Sequence, residues 1–467
     1  MLVLLGFLMI LVFMTLIMTK KLSPILALII VPTVFGLFAG AGLGIGDMVM
    51  DAIKNMSSTA ALLMFAIIYF GVMIDVGLFD KLVELIIKGV GNDPAKVVIG
   101  TAILAGCVSL DGDGSTTFIV VTAAMLPVYQ RLGMSPVVLT CVAGLTNGTL
   151  NIVPWGGPTA RAATALHVDA NSIFTPMVPA LVAGLAVVLL FAWRLGVMER
   201  RRIRAEGIGP WQSEVVGGSF DTDRTPGPAT QALTINHANT HEGEAAASSF
   251  VGTALDPNRS SLRPKLFWFN LLLTVTIMVL LVMDILPLPY LFMVGAAVAL
   301  LVNFRTIKEQ GEELAAHSSA VISVVAMVMA AGVLTGVMSG TGMVDAMAQW
   351  LVQVIPESWG PYLAVVTGVL SIPMTFFMSN DAFYYGILPV LTETASHYGI
   401  PAVDMARASI TGQPVHLNSP LVPAILLLVS LAGVELGDHH KKVLWRATVV
   451  SLVMLATGVL TGVIMMG

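Results

Sequence analysis

Ser109-Leu110-Asp111-Gly112-Asp113-Gly114-Ser115-Thr116-Thr117-Phe118 interrupts one long apolar tract, and Met374-Thr375-Phe376-Phe377-Met378-Ser379-Asn380-Asp381-Ala382-Phe383 interrupts another. Each stretch places small, polar and acidic residues where a membrane-spanning helix carries aliphatic ones. About 30 residues on, a second polar break follows each: Thr146-Asn147-Gly148-Thr149-Leu150-Asn151, and Thr411-Gly412-Gln413-Pro414-Val415-His416-Leu417-Asn418-Ser419-Pro420. The four breaks read as two halves of one buried binding site in a polytopic membrane transporter.

Composition sets that frame. The 467 residues are 56% hydrophobic and only 11% charged, whereas a soluble domain carries about 25% charged residues. Apolar tracts of about 20 residues, long enough to span a bilayer, recur from end to end. Backbone in hydrocarbon must be helical unless it is buried in protein or lines a cavity, so the fold class is all-α. A net charge of −5 argues against a nucleic-acid partner. Cys107 and Cys141 have no metal-ligand neighbourhood. The N-terminus has no basic stretch or small-residue cleavage site, so no cleavable signal peptide is expected.

The two halves share landmarks at a constant offset of 265 residues: Pro24 and Pro289, Gly77 and Gly342, Asp80 and Asp345, Phe118 and Phe383, Thr146 and Thr411. A fixed offset across such distant positions indicates duplication. The first half (1–205) predicts helices at 2–18, 24–43 and 58–75. A surface-lying amphipathic helix follows at 77–90, with Asp80, Lys81, Glu84 and Lys88 on one face. Next come hairpin arms 95–109 and 116–131, a helix from 136 broken at 147–158 and resuming to about 166, and a last helix at 176–197. The second half (263–467) predicts 267–285, 289–303, 319–338, a surface helix at 342–355, arms 360–377 and 383–397, a broken helix 402–433 and a last helix 443–465. Between them, 206–262 is rich in Gly, Ser, Thr and Pro and reads as a flexible cytoplasmic linker. His237 and His241 within it read as solvated loop.

The arms are short for a full span, so each pair is read as a re-entrant hairpin. That leaves five crossings per half, about ten transmembrane helices in all, and the odd number inverts one half relative to the other. The distribution of basic residues agrees, because positive charge favours the cytoplasmic side. With both termini extracytoplasmic, all but Lys54, Arg161 and Arg407 of the 23 Lys and Arg fall inside. The cell (inner) membrane is the expected location.

Inverted repeats with discontinuous helices put a binding site near the bilayer midplane. Half-helix N-termini suit an anion, and half-helix carbonyls suit a cation. Ser, Thr, Asn and Gln offer neutral hydrogen bonds that do not repel a carboxylate. Candidate substrate contacts are therefore Ser115, Thr116, Asn147, Gly148, Thr149, Asn151, Gly157, Arg161, Ser379, Asn380, Gly412, Gln413, Asn418 and Ser419. Intramembrane carboxylates are functional by default. Asp111 and Asp113 at one tip either share a proton or bind a cation, unless the tip reaches water and Asp-Gly simply turns the chain. Asp381 is read in the same way. Arg161 follows Gly156-Gly157-Pro158 and either pairs with a carboxylate or snorkels to the outer interface. His416 either carries a proton or donates a structural hydrogen bond. Asp75 reads as an interface residue, and the apolar Met faces read as packing surface.

At these residues the chain resembles the citrate–divalent metal:proton symporter family, within the ion transporter superfamily. The tips Ser-Leu-Asp-Gly-Asp-Gly-Ser-Thr-Thr and Phe-Met-Ser-Asn-Asp carry the resemblance. The related divalent anion:sodium symporters use Ser-Asn-Thr at each tip. Here only Ser379-Asn380 keeps that pattern, with Asp381 in the Thr place, and two aspartates precede Gly114-Ser115-Thr116. The resemblance implies an elevator mechanism, a homodimer, proton coupling and, as substrate, a citrate–metal complex. It implies a Mg or Ca class cation carried with the substrate and no permanently bound cofactor. It also implies that Ser115, Thr116, Asn147, Gly148, Ser379, Asn380, Gly412 and Asn418 meet the anion, and that Asp111, Asp113 and Asp381 meet the metal or proton. The alternatives are a sodium- or proton-coupled carrier of another dicarboxylate, tricarboxylate or gluconate-like acid, and a cation/proton antiporter. An intramembrane enzyme is not expected, since no usable catalytic motif occurs.

Overall fold

The computed structural model describes residues 1–19, 21–112, 114–205, 259–283 and 285–465. Among these residues all regular structure is helical, and seven helices are long and apolar enough to cross a membrane. The chain is an integral membrane protein. The first elements are α1 (Leu2–Met18), α2 (Pro24–Phe38), α3 (Ile45–Asp75) and α4 (Leu78–Val90). They are followed by α5 (Pro94–Val108), α6 (Gly114–Arg131), α7 (Pro136–Leu150), α8 (Gly157–Leu166) and α9 (Ala170–Ala205). After the break in the described residues come α10 (Phe267–Val282), α11 (Leu288–Asn303), α12 (Ile307–Ala316), α13 (Ser318–Gly340) and α14 (Met343–Val354). The last are α15 (Leu363–Phe377), α16 (Leu388–Ser396), α17 (Ala402–Ile410), α18 (Gln413–His416), α19 (Pro423–Leu431) and α20 (Leu436–Leu460).

Local chemistry explains most boundaries. Proline opens α2, α5, α7 and α19, where its missing N–H costs nothing. Asp93 caps α5 by accepting from Ala95 N at 3.2 Å, and the Arg200 fork holds the same carboxylate at 2.6 Å. Burial pushes the Asp93 carboxyl up, but the Arg200 and Ala95 donors outweigh it and hold it below the usual aspartate range. Gly77 and Gly342 stand before α4 and α14 at φ +84° and +72°, a left-handed turn that any Cβ would strain.

Several boundaries differ from expectation: the last helix of each half starts early, at Ala170 rather than 176 and at Leu436 rather than 443. The second helix stops at Phe38 rather than at 43, because Gly40 and Gly42 turn the chain with positive φ. The third begins at Ile45 rather than at 58. Its extra turns carry Asp47, Asp51 and Lys54 on an exposed face, with Lys54 and Asp51 paired at 2.8 Å, and they mimic a loop in sequence. The first hairpin arms, counted as short, gain 3₁₀ extensions. Pro94–Asp111 and Ser358–Phe377 reach 18 and 20 residues, long enough by length to cross. Residues 206–258 of the stretch read as a linker lie outside the described residues. Its end is docked: Arg259 Nε donates to Asp75 O at 2.8 Å, and Ser261 Oγ to the same oxygen at 3.1 Å.

Helices α2, α3, α11 and α13 pack as one wall. Helices α5, α7, α9, α15, α17 and α20 pack as a second group. Helix α8 touches both α3 and α13 of the wall, and the short 3₁₀ turn after α5 also rests on α3. Both tips and the 147–158 break therefore lie where the two groups meet, while α18, in the 411–420 break, packs within the second group on α7, α15 and α20.

Candidate functional site

The first tip is built by a stop and a restart. Helix α5 ends at Val108, Ser109–Asp111 form a 3₁₀ turn, and Gly112 takes φ +80° before α6 begins at Gly114. Asp113 lies outside the described residues. Trp155, from the link between α7 and α8, donates its indole N–H to Leu110 O at 2.9 Å and pins the tip. Ser115 and Thr116 occupy the first turn of α6, whose N-terminus presents a partial positive charge. Beside it stands Asn147 of α7, 4% exposed, whose Nδ2 has no hydrogen-bond partner. A Cβ placed on Gly114 would come 3.6 Å from that nitrogen. A buried amide donor left open costs about 1–3 kcal/mol, so this corner has room for one more hydrogen-bond acceptor.

The second tip is organised by charge and amides. Helix α15 ends at Phe377, Met378 is extended, and Ser379 Oγ accepts from Ala382 N at 3.2 Å. A π-helical turn, Ala382–Ile387, follows Asp381, a distortion frequent at functional sites. Arg161 Nε donates to Asp381 Oδ1 at 2.5 Å, joining α8 of the first half to the second tip across 220 residues. Gly157 gives the guanidinium room, since a Cβ there would stand 2.6 Å from Arg161 Nη1. Gln413 ties the rest together. Its Nε2 donates to Asn380 Oδ1 at 3.4 Å and to the Tyr384 hydroxyl at 3.0 Å, and its Oε1 accepts from Asn151 Nδ2 at 3.3 Å.

Asp111, Thr116, Gly157, Arg161 and Tyr385 line one side of a cavity of about 380 Å³; Gly71 of α3 and Ser323 of α13 line the other. The volume falls in the range of about 300–1,000 Å³ typical of small-ligand pockets. The Tyr385 hydroxyl is buried without a hydrogen-bond partner. One wall thus offers a carboxylate, a guanidinium and hydroxyls. That set suits a ligand carrying both anionic oxygens and a cation.

Other expected contacts are used inside the protein. Asn418 donates to Pro414 O at 2.7 Å, and its Oδ1 lies 3.0 Å from His439 Nε2. Ser419 Oγ donates to Phe376 O at 2.6 Å, and Thr149 Oγ1 to Leu145 O at 2.7 Å. His416 Nδ1 pairs with Thr375 O. A Cβ on Gly412 would come 2.5 Å from Ser371 Oγ, so this glycine serves helix contact. Gly148 does the same: a Cβ there would lie 2.9 Å from Pro414 Cα. Gly148→Ala is expected to cost about 1–3 kcal/mol by overpacking, read as a lower unfolding temperature in detergent. Sequence reasoning missed Trp155, Tyr384 and Tyr385. Their only signal is adjacency to a break, at Pro154-Trp155-Gly156 and Asp381-Ala382-Phe383-Tyr384-Tyr385.

Comparison with known proteins comes to the same region of protein space. The sequence profile described as citrate transporter matches residues 1–412. A Bacillus subtilis (strain 168) protein named citrate transporter is 47% identical over 464 residues, covering 99% of this chain and 100% of that one. A second from the same organism, named Mg(2+)/citrate complex secondary transporter, is 44% identical, covering 99% of each chain. A third, the uncharacterized transporter YraO, is 42% identical with the same coverage. The solved structure of the YdaH transporter of Alcanivorax borkumensis matches with a TM-score of 0.53 at 18% identity, over 88% of this chain and 86% of that one. That match is a likeness of fold alone.

Proposed function

The chain belongs to the citrate transporter family and is a transporter, not an enzyme; from that premise we propose that it imports citrate complexed with a divalent cation, driven by protons. What carries this reading is the pairing of opposite chemistries around one cavity. Arg161 and the α6 N-terminus at Thr116 suit a carboxylate, while Asp111 suits a cation; the open Asn147 amide stands beside that N-terminus, behind the cavity lining. The name of the second Bacillus relative supports a metal–citrate complex as cargo. Complexation removes two of citrate's charges and makes the cargo less costly to bury.

The Arg161–Asp381 pair supplies the switch. Without cargo, the two side chains neutralise each other. A substrate carboxylate that takes Arg161 releases Asp381, which then accepts the cation or a proton. Ser115, Thr116, Ser379, Asn380, Gln413 and Asn151 orient the citrate oxygens. Asp113, two residues beyond Asp111 in sequence, is a further candidate for the cation or the proton. His416 is a further candidate for the coupled proton.

The architecture we propose is two inverted repeats, 1–205 and 263–467, joined by a cytoplasmic linker at 206–262. Support comes from matching elements at the 265-residue offset: α3 ends at 75 and α13 at 340, and α4 begins at 78 and α14 at 343. The tips then form re-entrant hairpins, and the second helix group moves as an elevator against the α2–α3–α11–α13 wall of a homodimer.

Uptake of labelled citrate into proteoliposomes tests the cargo. With Mg2+ present uptake is expected to rise several-fold, and a chelator should return it to background. Uptake that increases on chelation removes the metal-complex reading. Acidification of the lumen, followed by a trapped dye on adding the Mg–citrate mixture, tests proton coupling; alkalinisation on sodium addition alone favours an antiporter.

A further inference from the structure

A second cluster lies in the wall behind the cavity. Asp75 ends α3, Glu313 stands in α12, and His317 forms the joint between α12 and α13. They are 7%, 8% and 0% exposed, and one ligand atom from each lies within 4.8 Å of the others. Gly71 and Ile74 of α3 and Ala320 of α13 line the cavity, so the cluster sits about one helical turn from it. Gly71 seats the imidazole: a Cβ there would come 2.6 Å from the His317 ring.

We propose that Asp75, Glu313 and His317 bind a transition-metal ion of the zinc or cobalt class, as a resident ion distinct from the cargo. Geometry is the first argument. His317 Nε2 is 3.2 Å from Asp75 Oδ2 and 3.5 Å from Glu313 Oε1. These separations are long for charge-assisted hydrogen bonds, which run about 2.7–2.9 Å. A tetrahedral ion with bonds of about 2.0–2.1 Å sets its ligand atoms about 3.3–3.4 Å apart, and the observed values bracket that edge. The second argument is unmet demand. Asp75 Oδ1 is buried with no hydrogen bond, and Glu313 Oε1, also buried, meets only the long approach of His317 Nε2 at 3.5 Å. Arg259, beside them, turns its guanidinium to the carbonyls of Ile74 and Asp75 and to the Asp80 carboxylate. Two buried carboxylates beside one imidazole form a site where a proton or a metal ion is welcome. The imidazole sets the metal class, since magnesium and calcium prefer oxygen alone. Bound there, the ion staples the end of α3 to the α12–α13 joint.

The full-length protein, purified in detergent without citrate, is titrated with Co2+ and followed by visible absorption. We expect one Co2+ per chain in a four-coordinate spectrum, displaced by Zn2+ and not by an equal excess of Mg2+. Loss of an outer partner alone weakens metal sites about 10–100-fold, so Glu313→Gln and His317→Gln should each weaken binding at least about tenfold. The variants should elute from size exclusion as the parent does. If His317→Gln fails to fold, the parent titration and Glu313→Gln decide. No Co2+ uptake by the parent overturns the proposal. So does uptake that Glu313→Gln leaves unchanged, which would point to the linker histidines or to His439 and His440.

Discussion

Arg161→Gln is expected to abolish citrate uptake and to lower stability by about 3 kcal/mol. The loss follows from leaving the Asp381 carboxyl buried without its partner. Removing one member of a buried ion pair costs about 3–5 kcal/mol, and the lower end applies because the Arg161 side chain keeps 25% exposure while Asp381 keeps 10%. Arg161→Gln combined with Asp381→Asn removes both charges together. That double variant should recover most of the unfolding temperature and none of the transport. Thermal unfolding in detergent and uptake in proteoliposomes read the two effects separately. Transport restored in the double variant would reduce the pair to a structural tie and end its proposed role as the switch.

Asn147→Leu should push stability and affinity in opposite directions. The Asn147 amide nitrogen is buried with no partner, so an apolar side chain of similar shape relieves a standing penalty of about 1–3 kcal/mol. The unfolding temperature of the cargo-free protein is expected to rise. A hydrogen bond to a charged acceptor is worth about 1.5–3 kcal/mol, so the apparent Kd for Mg–citrate should weaken about 10–150-fold. Calorimetric titration of the detergent-solubilised protein measures the second effect. Unchanged affinity would move the anion away from the α6 N-terminus.

Much of this fold could be read before any coordinates, because lipid punishes irregular backbone. Asp, Gly and Pro inside apolar runs mark every break, and α1, α4, α5 and α7 begin within one or two residues of expectation. Charges misled where a helix leaves the membrane. Asp47, Asp51 and Lys54 looked like a loop yet lie on the exposed face of α3. The candidate site was legible as a set of residues and illegible as a set of pairs. Nothing near Arg161 in sequence announces Asp381, and Gln413 joins Asn151 across 262 residues. The same holds for Asp75, read as an interface residue, whose partners Glu313 and His317 stand in a stretch that looks like a charged turn. Their i, i+4 spacing was the available signal. Gly148 and Gly412, expected to meet the anion, stand at close helix contacts, which sequence does not announce.

The indole of Trp155 belongs to two bodies at once. Its N–H grips the carbonyl of Leu110, while its ring lies 4.9 Å from Phe292 of α11 and 5.3 Å from Phe70 of α3. Aromatic pairs of this kind add about 0.5–1.5 kcal/mol each beyond their burial. Under the proposed elevator motion that stack acts as a detent, because the second group would have to shear it to slide. An empty carrier would therefore rest in one position for most of its time, and the cargo must supply enough attraction farther along the track to lift it out of the notch.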